Sequence, residues 1–157
     1  MQQTLRLLHR PTWLRLRVMQ TPPTSMLQDA PPPDFINLGA GEIGGLTLVP
    51  GLYKWTTSVT VSAGGVTISG SSTDVWIFQM SGSLSVANGK KVILVGGALS
   101  KNMFWQVAGG ATVGSGGHLE GILLSKTTGV LQTGASMNGR VLAQTTVTFQ
   151  QATLTQP

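Results

Sequence analysis

After Phe35 the chain consists of short runs of β-branched and other apolar residues, separated by Gly, Ser and Asn. Runs of three to five residues are too short for amphipathic helices and favour strands. Segments 103–121, 122–139 and 140–157 each hold three such runs, 76–101 is a longer copy, and 52–72 is a looser one. A repeat of about 18 residues with three strands predicts an all-β solenoid, a right-handed parallel β-helix with one coil per repeat.

A β-sandwich is the alternative for a chain of many short strands. It would place hairpin signals such as Asn-Gly between successive strands. Asn88-Gly89 and Asn138-Gly139 are assigned instead to equivalent corners of two coils. The β-helix is therefore the predicted fold, with three faces.

The first and third faces differ in their hydrophobic pattern. The first face (52–55, 76–80, 103–107, 122–124 and 141–143) is apolar at both alternations of the strand. Such strands belong to a sheet covered on both sides, so we expect a cover over this face. Without that cover, side chains such as Trp76 and Phe78 would be exposed and would promote self-association. The third face (66–69, 91–95, 118–120, 136–138 and 153–155) is mixed and indicates an ordinary solvated surface.

The middle face (56–60, 81–85, 108–112, 127–130 and 145–148) repeats hydroxyls and small residues at corresponding places. Neighbouring strands lie about 4.7–4.9 Å apart, and Thr has few rotamers on a strand. A flat, rigid array of this kind suits a flat, repetitive, hydrogen-bonding partner, although it could equally be a solvated face. The candidate binding residues are Thr56, Ser58, Thr60, Ser81, Ser83, Ser85, Ala108, Gly110, Thr112, Thr127, Val130, Thr145 and Thr148.

Composition and charge narrow the class of protein. Only 10% of the 157 residues are charged, 21 are Gly, and Cys is absent, which excludes disulfides and thiolate metal sites. The net charge of +5 arises largely from Arg6, Arg10, Arg15 and Arg17, so the body of the chain lacks the basic stripe expected of a nucleic-acid-binding protein. No apolar run reaches the roughly 18 residues of a membrane span. We expect no nucleic-acid partner and no cofactor.

The chain changes character near residue 34. Residues 1–20 mix Arg with Leu and Trp, and residues 21–34 are Pro-rich. We expect 1–34 to be a poorly ordered leader and 35–157 to be the β-helix domain. A transit peptide or a short amphipathic helix remains open for the leader, whereas a recognisable signal peptide is lacking because Arg interrupts each apolar run.

The residues that enzymes require are sparse. Glu42, Asp74 and Glu120 are far apart in sequence, and His9 and His118 lack motif partners. Glu120, beside His118, is assigned to a turn and to a structural role. The stretch 39–45 (GAGEIGG) mimics a phosphate-binding loop but lacks the Lys and the helix that follows it. We expect no enzymatic activity and no metal site.

Several longer motifs resemble one family. They include FINLGAGEIGG (35–45), PGLYKW (50–55), KNMFWQVAG (101–109), HLEGILLSKT (118–127) and NGRVLAQTTVT (138–148). Residues 35–157 resemble the microbial ice-binding (antifreeze) proteins of the right-handed β-helix type. The resemblance implies a secreted protein of cold adaptation that adsorbs to ice, with thermal hysteresis and inhibition of ice recrystallisation.

The resemblance also implies an α-helix along one face and a recurrent Thr–Ala/Gly–any–Thr/Asn pattern on the ice-binding face. Thr145 and Thr148 match the outer positions of that pattern, whereas Val130 replaces the last hydroxyl after Thr127. Residues 1–34 do not match the family's N-terminal part, so its covering helix is expected to be absent or altered. The rival hypothesis is a cell-surface adhesin or carbohydrate-binding module that uses the flat face or exposed Tyr53, Trp55 and Trp105.

Overall fold

Parallel strands wind through residues 32–157, which are the residues described by the structure, a computed structural model. Short apolar runs form strands because their alternate side chains can enter one shared interior. Two 3₁₀ helices, Leu38–Gly41 and Ser100–Asn102, interrupt them. The strands are β1 (Phe35–Ile36), β2 (Thr47–Leu48), β3 (Gly51–Trp55), β4 (Val59–Val61), β5 (Val66–Ser69), β6 (Trp76–Met80), β7 (Leu84–Val86), β8 (Val92–Val95), β9 (Met103–Val107), β10 (Ala111–Val113), β11 (His118–Ser125), β12 (Thr128–Leu131), β13 (Ser136–Ala143), β14 (Thr146–Phe149) and β15 (Thr153–Thr155).

Three parallel sheets form the walls of the solenoid and confirm the predicted β-helix. The sheets have the orders β1-β3-β6-β9-β11-β13-β15, β14-β12-β10-β7-β4 and β2-β5-β8. The first six strands of the seven-stranded sheet form the first face, β15 pairs with the third-face half of β13, and the five-stranded sheet is the middle face. Strands β11 and β13 are long and bend at Gly121 and Gly139, so their first halves continue the third face.

Coil length varies more than the regular sequence repeat suggested. Gly129 pairs with Ala111 on one side and with Val147 on the other, each one predicted repeat away along the chain. The two coils before these are longer, since Val59 pairs with Leu84 and Leu84 pairs in turn with Ala111. The longer coils carry extra residues at 70–75 and 96–102, between the third and first faces. Insertions at a corner leave the strand ladders in register.

The two Asn-Gly pairs lie at different corners, so their predicted equivalence is wrong. Asn88-Gly89 follows β7 and joins the middle face to the third face. Asn138-Gly139 lies within β13, where the third face becomes the first. The same turn residues thus serve two corners of the coil, and their identity alone does not distinguish one corner from the other.

Aromatic side chains fill the interior behind the first face. Trp55, Trp76, Phe78 and Trp105 are each 0% exposed. Phe78 stacks on Trp105 with ring centroids 4.2 Å apart, and the Trp105 indole N–H donates to the Glu120 carbonyl at 2.7 Å. The predicted exposure of Trp76 and Phe78 is therefore wrong, since these two alternate positions point inward. Buried rings are also unavailable as a stacking platform for sugars.

The outward side of the first face divides into two columns of side chains. One column is apolar and half-buried, and it consists of Leu52, Ile77, Phe104 and Ile122. The other is polar over its first three rungs and then apolar, and it consists of Lys54, Gln79, Gln106, Leu124 and Leu142. The expectation of an apolar face at both alternations therefore holds for one column and is wrong for the first three rungs of the other. These polar side chains line an open groove of about 530 Å³, where they remain solvated.

No helix within 32–157 is long and apolar enough to cross a membrane. The predicted leader falls almost entirely on residues outside the described range.

Glu42 fastens the first coil to the second. Its carboxylate accepts hydrogen bonds from Ser62 Oγ at 2.5 Å, from the Ser62 N–H at 3.2 Å and from the Gly44 N–H at 2.6 Å. The slight desolvation of this exposed carboxylate opposes ionisation, but the three hydrogen bonds together outweigh it and lower the pKa of Glu42. The ionised form is therefore the one that holds the two coils together.

Ser62→Ala is expected to reduce stability at neutral pH and to have little effect in acid. A lowered folded-state pKa contributes stability above the unfolded-state value of about 4.3, and that contribution is lost as pH falls through the folded-state pKa. Because Glu42 is exposed, we expect a difference in Tm of only roughly 2 °C at pH 7. Thermal unfolding of the wild type and of Ser62→Ala between pH 7 and pH 2 measures this difference in Tm. A difference that persists unchanged at pH 2 contradicts the role of the ionised carboxylate.

Candidate functional face

The middle face is a five-stranded sheet with an apolar inner side and a hydroxyl-rich outer side. Val59 and Val61 of β4 are fully buried, and Leu84, Val86, Ala111 and Val113 continue this inner side. The residues between them point outward because side chains alternate along a strand. Packing of the inner side thereby holds the outer side chains at fixed positions.

One continuous column runs the length of this face. Its members share Cα pairing from strand to strand, and they are Thr60, Ser85, Thr112, Val130 and Thr148. The pairing places successive side chains about 4.7–4.9 Å apart. Four of the five rungs carry a hydroxyl, and Val130 keeps the branched shape without it. We call these five residues the central column.

Two further columns lie beside the central column, two and three positions earlier along each strand and nearer the first face. The nearer one, in the order of the coils, is Ser58, Ser83, Gly110, Thr128 and Thr146, and its Thr128–Thr146 pair is in register. The next is Thr57, Gly82, Gly109, Thr127 and Thr145. Backbone hydrogen bonds support it: Gly82 donates to Thr57, Gly109 to Gly82, and Thr145 to Thr127, at 2.9–3.1 Å.

The predicted binding residues are therefore distributed over four columns. Thr60, Ser85, Thr112, Val130 and Thr148 form the central column; Ser58, Ser83 and Gly110 form part of the second; and Thr127 and Thr145 belong to the third. Thr56, Ser81 and Ala108 lie at the corner, and Ser81 and Ala108 line the groove together with Lys126 and Gln144. The face thus joins ten of the thirteen predicted residues and leaves these three at its margin.

Thr57, Thr128 and Thr146 also point outward and were not among the predicted residues. Thr57 and Thr146 are exposed, and Thr128 is half-buried. The signal that could have found Thr128 and Thr146 is strand alternation, since both precede an inward residue by one position, as Ser58 precedes Val59.

Two glycines, Gly82 and Gly109, leave space on the outer side of the face because they have no side chain. A β-carbon at Gly82 would lie 2.6 Å from the Ser58 N atom, and one at Gly109 would lie 2.6 Å from Ser83 Oγ. Ser58 Oγ accepts a hydrogen bond from the Ser83 N–H at 2.9 Å, in the space that Gly82 leaves open. The hydroxyls of Ser58 and Ser83 therefore lie close to the backbone of the sheet and do not project from it. The result is a flat surface at these coils.

The outer columns carry hydroxyl, methyl and hydrogen only. Lys126 lies at the corner, and the exposed Glu42 is the register neighbour of Thr60 on the side away from Ser85. The groove of about 530 Å³ lies beside the face and not on it. Within 32–157 no three His, Asp or Glu side chains are grouped so that they could hold a metal ion. Such a surface offers many weak, regularly spaced contacts and no reacting group.

Together, the β-helix and this face define a solenoid protein that presents a flat, regularly spaced array of hydroxyls and methyls, with charged side chains only at its margins. A sequence model of the family described as Ice-binding-like matches residues 19–155. The chain belongs to this family. The match begins ahead of the domain start that the sequence pattern predicted at Phe35.

Related proteins agree with this assignment. The chain is 56% identical over 125 residues to an ice-binding protein of Flavobacterium frigoris, which covers 80% of this chain and 45% of that protein. It is 53% identical over 125 residues to an ice-binding protein of Leucosporidium sp. (strain AY30), covering 80% of this chain and 48% of that protein. The chain thus spans about half the length of these curated relatives.

Solved structures show the same fold. An ice-binding protein with antifreeze activity from an Arctic yeast superposes with a TM-score of 0.79 at 48% identity, covering 85% of this chain and 60% of that one. The ice-binding protein of the Antarctic ascomycete Antarctomyces psychrotrophicus gives 0.76 at 34% identity, covering 82% and 64%. The family resemblance inferred from the motifs is confirmed.

Proposed function

We propose that this chain adsorbs to ice through the middle face and thereby inhibits ice growth and recrystallisation. The observation that carries the proposal is the in-register central column, five residues without a charged side chain on a flat sheet. The names of the relatives support it, since each of those described above is an ice-binding protein.

The mechanism follows from rigidity and repetition. Each hydroxyl can exchange one hydrogen bond with water for one with the ice surface, and each methyl can exclude a water, so every contact is weak. Because the parallel ladders already fix the backbone and the rotamers, binding orders few additional groups. Many weak contacts then act together on one repetitive surface. Ice that grows between bound molecules must curve, which lowers its freezing point.

The direct test is thermal hysteresis and recrystallisation inhibition with the purified chain. Circular dichroism first establishes that the β-helix is folded. We expect a measurable gap between melting and freezing, with faceted crystals inside the gap. A folded chain that shows neither contradicts the proposal, and binding to a glycan array in that case supports the adhesin hypothesis.

Val130→Thr is expected to increase activity modestly. The change keeps the branched shape and restores the one hydroxyl missing from the central column between Thr112 and Thr148. Val130 is half-buried and points outward, so stability should change by less than about 1 kcal/mol. We expect thermal hysteresis to rise by no more than about fivefold, since the net contribution of one hydrogen bond is on the order of 1 kcal/mol. Val95→Thr, an exposed site on the third face, is the matched control. A fall in activity for Val130→Thr contradicts the alignment of the column with ice.

We also infer that the protein acts outside the cell, where a face of this kind meets growing ice. Detection in culture medium, compared with a cytosolic marker, tests this localisation.

Self-association through the first face is a further expectation, because Leu142 is 53% and Leu124 38% exposed there. Sedimentation of the wild type against the Leu142→Gln variant measures it.

A further inference from the structure

A second group of polar side chains lies on the third face, away from the proposed ice-binding surface. His118 and Glu120 occupy alternate positions of β11, and Ser136 and Asn138 are their register partners on β13. The turn that the sequence pattern predicts at Glu120 is wrong, because Glu120 lies within the strand. All four side chains therefore project from the same side of two adjacent strands.

Hydrogen bonds connect the four side chains in one chain. Ser136 Oγ lies 2.7 Å from His118 Nδ1, and His118 Nε2 contacts Glu120 Oε2. Asn138 Nδ2 donates to the other carboxylate oxygen of Glu120 at 3.2 Å. The order is hydroxyl, imidazole, carboxylate and amide.

The carboxylate determines which imidazole nitrogen carries the hydrogen. An ionised Glu120 only accepts hydrogen bonds, so His118 Nε2 must donate to it. In neutral His118 the lone pair then lies on Nδ1, which faces Ser136 Oγ. The Ser136 hydroxyl donates to this lone pair. Such a base, oriented by a third group, is the arrangement that activates a serine nucleophile.

Burial favours this arrangement, and the register neighbours of His118 and Ser136 on the adjacent coils add no second carboxylate. The His118 side chain is 25% exposed and that of Glu120 is 12% exposed, so solvent competes little for their contact. Lys91 is the register neighbour of His118 on the opposite side from Ser136, and it is exposed. Thr153, the neighbour of Ser136 on β15, is uncharged.

The surroundings limit what the serine can do. The Ser136 N–H donates to the Gly117 carbonyl at 2.9 Å, and the Thr153 N–H donates to the Ala135 carbonyl at 3.0 Å. These two backbone donors are therefore engaged in the ladder and cannot stabilise an oxyanion. Since the formation and the hydrolysis of an acyl-serine both pass through an oxyanion, both steps depend on the general base alone.

We propose that Ser136 is a nucleophilic acylation site, activated by His118 and Glu120, that accepts an acyl group from an activated ester. Ser136 Oγ forms a bond to the acyl carbon while its proton moves to His118 Nδ1. The bond from the acyl carbon to the leaving phenolate oxygen breaks, and the phenolate departs with the electron pair. The imidazolium then releases its proton to solvent, which leaves acylated Ser136 and neutral His118.

The probe is p-nitrophenyl acetate, and the readout is the acetylation rate of each serine by peptide mass spectrometry on the full chain. Ser85, which is exposed on the middle face, is the internal control. We expect Ser136 to be acetylated about 10²-fold faster than Ser85, since a positioned general base contributes at least that factor. His118→Gln should reduce the Ser136 rate to that of Ser85, and Glu120→Gln should reduce it in part.

Two further measurements separate activation from a structural role. Nitrogen NMR should show the hydrogen on Nε2 of His118 in the wild type, and a mixture of the two neutral forms in Glu120→Gln. Circular dichroism checks that each variant retains the solenoid. Equal rates at Ser136 and Ser85, a Ser136 rate unaffected by His118→Gln in a folded variant, or acetylation of Lys91 without Ser136 would each overturn the proposal.

Discussion

Thr112→Tyr is expected to remove most of the thermal hysteresis and leave the β-helix folded. Thr112 is the middle rung of the central column, in register with Ser85 on one side and Val130 on the other. A tyrosine ring there would stand above the neighbouring hydroxyls and hold the flat face away from a flat partner. The contacts between the face and ice are individually weak and act together. A ring that separates the centre of the face from the ice surface therefore removes several of these contacts at once. We expect at least a roughly tenfold loss of activity, equivalent to about 1.4 kcal/mol.

The matched control is Thr67→Tyr, which places the same ring at a half-buried, outward position of the central strand of the third-face sheet. This variant should retain full activity and a similar Tm. Thr148→Tyr should have an intermediate effect, because β14 is the edge strand of the five-stranded sheet. Nanolitre osmometry and circular dichroism on all three variants decide the matter. If Thr112→Tyr is folded and fully active, the middle face is not the binding surface.

Gly139→Ala is expected to destabilise the fold severely. Gly139 turns β13 from the third face onto the first, with φ at 154°. A β-carbon there would lie 2.6 Å from the carbonyl carbon of Gly121 on the preceding coil, and closer still to its oxygen. Neither group can move away, because both belong to the parallel ladder between β11 and β13. We expect a loss of more than about 4 kcal/mol, in the range of the most damaging point substitutions.

Gly89→Ala separates this clash from simple backbone strain. Gly89 also has a positive φ, 71°, but a β-carbon there meets nothing within 4 Å. Its replacement should cost roughly 1–2 kcal/mol from the left-handed conformation alone. Urea unfolding followed by circular dichroism compares the two variants with the wild type. Equal losses in the free energy of unfolding for Gly139→Ala and Gly89→Ala would contradict the close packing of Gly139 against Gly121.

The sequence alone was sufficient for the solenoid and for its three faces. Runs of three to five apolar residues, each followed by a turn residue, determine short strands, and their recurrence three times per repeat determines the coil. The alternation in Val59–Val61 and Ala111–Val113 identifies an inward side on the middle face, so the hydroxyl at the position between must point outward. These are local properties, since strand direction depends on residues two positions apart.

The tertiary structure decided which residues are neighbours across coils. Coils of unequal length share one register, so the distance along the chain does not reveal that Thr60 pairs with Ser85. The sequence also did not reveal which alternate positions of the first-face strands point inward, because Trp76 and Ile77 are both apolar. The contact between His118 and Ser136, on successive coils, depends on the same long-range pairing. Sequence periodicity thus determined the fold and the kind of surface it presents, whereas the ladder of backbone hydrogen bonds between coils, which local pattern does not encode, selected the residues that act together.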